Sequence, residues 1–182
     1  MMTSDDFVKI FYSKFTPNID WDNIDEITWM YGENLFTVSS QTIVQKDEFI
    51  KRIDFVLNPK NGFMRNGESD GHMALKSFAK DYLINYCNVP EGEIMIEYPL
   101  MGFEVDVIDK DLCFPTECGD TNAFALKLEK YLYLPSTKKM LVLPYPRNRN
   151  VKVFEFIANP RFFEYIKHKQ QFLNQKNYKF RK

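Results

Sequence analysis

The sequence predicts an α/β fold, a mixed central sheet flanked by helices. Three observations point there. Short runs rich in Val, Ile and Phe with alternating polarity fall at residues 94–98, 103–108, 112–118, 139–144 and 151–157. Longer segments with apolar residues every three or four positions lie between and around them. The order from residue 72 is helix, three meandering strands, helix, strand, strand, helix, which suits layered packing of helices on a sheet.

The elements follow from local chemistry. Phe7, Ile10, Phe11 and Phe15 keep helical spacing until Pro17 and Asn18 stop it. Residues 22–31 mix acids with Ile24, Ile27 and Trp29, and residues 35–44 carry Thr, Val and Ser as a short strand pair would. Phe49, Ile50, Ile53 and Val56 line one face of a helix over 46–57. Pro59, Gly62, Gly67 and Gly71 mark residues 58–71 as a loop. Ser69 and Asp70 offer caps for a helix over 72–87, which Pro90 and Gly92 close. Residues 99–102 form a turn between the first two strands of the meander. A helix over 123–133 and a Phe- and Lys-rich helix over 160–174 complete the set. The division that results is an N-terminal, mostly helical extension over 1–67 and a core over 68–182.

Composition bounds the function. The 182 residues are 45% hydrophobic and 16% aromatic, a globular composition. Three cysteines without a C-x-x-C pair and two distant histidines argue against a disulfide framework or a zinc site. The first residues lack a basic start followed by an apolar run, and no apolar stretch nears 18 residues. A cytoplasmic protein with no membrane partner is expected. Net charge is −1, yet from Lys138 onward twelve basic residues stand against Glu155 and Glu164. That tail reads either as a solvated basic face or as a surface that meets phosphates.

The chemistry centres on acids. Asp106 sits within the apolar run Val105-Asp106-Val107-Ile108, where a carboxylate needs a donor, a cation or water. Glu104 shares its face by strand alternation. Glu117 ends the next strand, roughly 4.8 Å away in the pairing direction. Two carboxylates so placed repel unless a positive charge lies between them. Mg²⁺ or Mn²⁺ meets that need, with oxygen ligands and retained waters. Glu97, on the first strand, is either a helper ligand or an ordinary surface residue. Gly119 permits close backbone approach, so the carbonyl of Cys118 could face the ion while its thiol is a small buried hydrophobe.

Glu97, the run Gly102-Phe103-Glu104-Val105-Asp106-Val107 and the run Thr116-Glu117-Cys118-Gly119 together resemble the PD-(D/E)XK nuclease superfamily. The resemblance covers about residues 68–157. It implies a restriction-endonuclease-like core, metal held by Asp106 and Glu117, and hydrolysis of phosphodiesters in DNA or RNA. A helix residue often completes such sites, and His72 or Glu68 stands in that place. The lysine expected two residues after the Glu is replaced by Gly119. Cap-snatching polymerase endonucleases are similar here: Glu117-Cys118-Gly119-Asp120-Thr121 precedes Leu128-Glu129-Lys130, and the lysine moves to the helix as Lys127 or Lys130. These two lie one turn apart. Nucleic acid is the implied partner, and a homodimer is compatible with this reading. The competing expectation is a nuclease-like fold that has lost activity and binds nucleic acid or protein.

Overall fold

The computed structural model describes residues 24–57, 69–146 and 150–179, with side chains to residue 173. The helix expected around Phe7–Phe15, most of the 58–71 loop including Glu68, and Arg147, Arg149, Arg181 and Lys182 lie outside those residues.

Among the described residues the fold is mixed α/β: a six-stranded mixed sheet with five α-helices. In chain order these are α1 (Ile24–Gly32), β1 (Phe36–Val44), α2 (Lys46–Leu57), α3 (Asp70–Cys87), β2 (Ile94–Leu100), β3 (Phe103–Asp109), β4 (Thr116–Cys118), α4 (Phe124–Tyr133), β5 (Met140–Leu143), β6 (Val151–Ala158) and α5 (Pro160–Lys179). The strand order is β1-β6-β5-β4-β3-β2. β4 and β5 run parallel, joined through α4, and the other neighbours are antiparallel. No helix among the described residues is long and apolar enough to cross a membrane.

Two elements differ from expectation. The stretch expected over 35–44 forms one strand, Phe36–Val44, not a pair, because β1 pairs with β6 from Phe36↔Ala158 to Val44↔Val151. The N-terminal segment thereby supplies an edge of the sheet. The third meander strand shortens to Thr116–Cys118. Leu112 adopts φ 58°, the Asp109 side chain accepts from the Phe114 amide at 2.8 Å, and Pro115 has no amide for a ladder, so the chain loops before pairing. The β2–β3 connection is tighter than expected: Leu100 pairs with Phe103 across Met101 and Gly102, both at positive φ, as a two-residue hairpin requires.

The sheet separates two apolar layers. One holds Ile27 and Met30 of α1, Val105 and Ile108 of β3, Leu128 and Tyr131 of α4, Phe154 and Phe156 of β6, and Phe162 of α5. The other holds Leu75, Phe78, Ala79 and Tyr82 of α3 against Val107, Cys118, Leu141, Leu143 and Val153. α2 packs on the outer side of α3 through Val56, Met73 and Ala74. Burial from both sides explains why α3 is apolar around much of its first half.

Candidate functional site

The site lies where β3 meets β4. Strand alternation slips at Asp106: Val105 faces the α4 layer, whereas Val107, two residues on, faces the α3 layer. Asp106 therefore leaves the strand where it changes face. Opposite it on β2, between the pairs Ile96↔Val107 and Tyr98↔Val105, stands Glu97 at φ 54°. Among the described residues, Glu97 is the one non-glycine with left-handed backbone inside a strand. Such a conformation costs about 1–3 kcal/mol and persists only where its surroundings enforce it.

Helix α3 serves Asp106. Its N-terminus is fixed by Ser69, whose hydroxyl accepts from the His72 amide. His72 Nε2 lies 3.0 Å from Asp106 Oδ1. One turn later, Lys76 Nζ lies 3.7 Å from the same oxygen and 2.9 Å from Glu97 Oε1. The other Asp106 oxygen, Oδ2, accepts from the Cys118 amide at 2.6 Å. Burial pushes the Asp106 carboxyl up, but His72, the Cys118 amide and Lys76 outweigh it and hold it below the usual carboxylate range.

Helix α4 serves Glu117. Val107 pairs with Thr116, which sets Asp106 level with Glu117 on the adjacent strand. Glu117 is only 3% exposed. Lys127 Nζ donates to its Oε2 at 2.5 Å, and the Tyr131 hydroxyl donates to Oε1 at 3.3 Å. Even so, burial raises the Glu117 carboxyl to about 7; Lys127 opposes that rise and the charge of Asp106 adds to it. The two acids are thus reached from opposite layers yet close enough to feel each other.

Of the expected residues, His72, Glu97, Asp106, Glu117, Cys118 and Lys127 gather here. Lys130 does not reach the acids: its Nζ donates to the Met101 carbonyl at 2.8 Å and lies 4.7 Å from the Phe103 ring centre, which draws it to the hairpin turn. Cys118 is buried at 1% exposure, and its amide is what touches Asp106. Glu104 is exposed on the hairpin. Sequence reasoning missed Lys76, Tyr131 and Tyr145. Lys76 carried a signal, a lysine inside the apolar stripe of α3 four residues after His72. Tyr145 carried none: its hydroxyl lies 3.5 Å from His72 Nδ1 and 3.3 Å from Ser69 Oγ, and its ring covers Gly119. Gly119 sits at φ 73°, and a Cβ there would come within 2.7 Å of that ring.

Three carboxylates (Glu97, Asp106, Glu117) face two lysines (Lys76, Lys127). No group of three or more His, Cys, Asp or Glu among the described residues is arranged to hold a metal ion. A cation here would rest on the Asp106 and Glu117 carboxylates, the number that magnesium commonly takes from protein.

No protein-family model matches the sequence, and no curated protein or solved structure matches it either.

Proposed function

We propose that the protein is a metal-dependent nuclease that hydrolyses phosphodiester bonds in DNA or RNA, with a site of the PD-(D/E)XK kind. The observation that carries this reading is the pair formed by the half-buried Asp106 and the buried Glu117, level on adjacent strands, with Glu117 raised to about 7 beside a second carboxylate. Active sites are where burial and a neighbouring like charge are arranged to shift an acid in this way.

Asp106 and Glu117 would hold Mg²⁺ or Mn²⁺. Such an ion, when bound, activates water and steadies charge on the phosphate. The chain does the rest. Asp106 is fixed by His72 and the Cys118 amide, so its carboxylate needs little reorganisation. Lys127 keeps an ammonium group beside Glu117, where it would neutralise charge gathering on the phosphate. Tyr131, its phenol pushed well above the ordinary range by burial and by Glu117, stays a donor that orients Glu117. Exposed basic residues on the C-terminal part, among them Lys138 and Lys167, with Arg161 paired only at 3.9 Å to Glu33, offer contacts to a nucleic-acid backbone. Others there are already engaged internally: Lys139 with Glu155, and Lys169 with Glu26 and Glu129.

A second reading is favoured by one observation: all four oxygens of Asp106 and Glu117 already accept hydrogen bonds or ion pairs from the chain. A fold that had lost activity and binds nucleic acid or protein would keep such a network for rigidity. The test is incubation of wild type, Asp106→Ala and Glu117→Ala with single- and double-stranded DNA and RNA and Mn²⁺. Cleavage by wild type alone is expected. Equal products from all three, or none from any, would remove the nuclease reading.

A further inference from the structure

Building on the nuclease reading, we propose that Lys76 occupies the position of a second metal ion, so that the centre works with one divalent cation and a built-in ammonium group. Lys76 is 4% exposed, nearly as buried as Leu75 beside it. A buried lysine is costly by several kcal/mol unless paired, and this one is paired with two carboxylates from different strands, Glu97 on β2 and Asp106 on β3. It stands where two acids from adjacent strands would otherwise clamp an ion.

The two oxygens of Asp106 are divided between tasks. Oδ1 faces Lys76 and His72 from α3. Oδ2 faces the backbone of Cys118, the residue after Glu117. A cation shared with Glu117 would use the Oδ2 side. A cation shared with Glu97 would have to lie about 2.1 Å from its oxygens, inside the space that the Lys76 ammonium fills. Glu97, expected from the sequence to be a helper ligand, is thereby a partner of Lys76 instead. The left-handed backbone of Glu97 fits this role, because the ion pair with Lys76 is a contact able to hold a side chain in that strained position. Lys76 so acts as a positioning residue: it fixes Asp106 and sets an ammonium group where a second ion sits in two-metal sites.

The test counts ions by calorimetric titration with Mn²⁺, read beside a thermal melt for each variant. Wild type binds one Mn²⁺ per chain. Glu97→Gln, which keeps size and a polar head for Lys76, leaves that affinity within about twofold, whereas loss of a true ligand or its close support costs about tenfold or more. Lys76→Met opens a second, weaker Mn²⁺ site, and Lys76→Met with Glu97→Gln closes it again. Lys76→Arg keeps a single ion. Two ions on wild type, or a tenfold loss with Glu97→Gln, would overturn the proposal while leaving the nuclease reading intact. No Mn²⁺ on wild type and no cleavage would remove the nuclease reading and this proposal with it. If Lys76→Met fails to fold, wild-type stoichiometry and Glu97→Gln decide alone.

Discussion

Glu117 on β4 and Glu155 on β6 have nearly the same escort, with opposite results. Each meets one lysine and one tyrosine: Lys127 and Tyr131 for Glu117, Lys139 and Tyr82 for Glu155, with Ser39 also donating to Glu155. Burial pushes both up. At Glu155 the partners win and the carboxyl lies below its usual 4.5; at Glu117 they lose and it rises to about 7. The side chain of Glu155 is 18% exposed and that of Glu117 4%, and only Glu117 has Asp106 as neighbour. Depth and a second acid, not the choice of partners, separate a carboxylate held below its usual range from one held above it.

The contrast can be broken most sharply through activity. Asp106→Ala or Glu117→Ala is expected to lower phosphodiester cleavage by about 100-fold or more, as loss of a metal-holding carboxylate does. Glu155→Gln should leave the cleavage rate close to wild type, and a large loss there would erase the distinction. Next in size, Lys127→Met should slow cleavage by about 10- to 100-fold, while Lys130→Met, turned toward Met101, should change it by less than about threefold in the same gel assay.

Stability offers smaller effects of opposite sign. The Glu155 carboxyl is lowered, so its contribution is present above pH 4.5 and is lost as pH falls through its folded value. Glu117 is raised, so in metal-free protein the folded state holds the proton longer. Its cost appears as pH climbs from 4.5 to about 7, at most about 3 kcal/mol. Melting curves in EDTA should therefore show wild type losing stability over that window and Glu117→Gln losing less. Equal slopes would sink the assignment of Glu117 as a charge buried against its preference. The smallest expected effect is a rise of a few degrees in Tm with millimolar Mn²⁺, absent in Asp106→Ala, since an ion bound only to the folded chain stabilises it.

Most of the fold was legible in the sequence. Runs of apolar residues located α2, α3, α4, β2, β3, β5 and β6 to within a few residues because each buries at least one apolar face, and α3 and β5 bury two. β4 was misjudged in length, since Leu112 and Phe114 look like strand residues but Asp109 and Pro115 divert the backbone. The joining of β1 to β6 pairs residues more than a hundred positions apart, and no local pattern announces it. The acids of the site were legible because carboxylates inside apolar strands demand a reason. Lys76 was overlooked because a lysine in a helix is usually read as solvent-facing. The slip of alternation at Asp106 and the backbone of Glu97 belong to tertiary strain and leave no trace in residue order.

The contact between Gly119 and Tyr145 carries one more consequence. A substitution Gly119→Lys would thrust a side chain into a ring whose hydroxyl is tethered near Ser69 and His72, on backbone that disfavours any Cβ. Room for a cationic side chain is therefore missing at position 119, and among the described residues the lysines that meet Glu97, Asp106 and Glu117 come from α3 and α4.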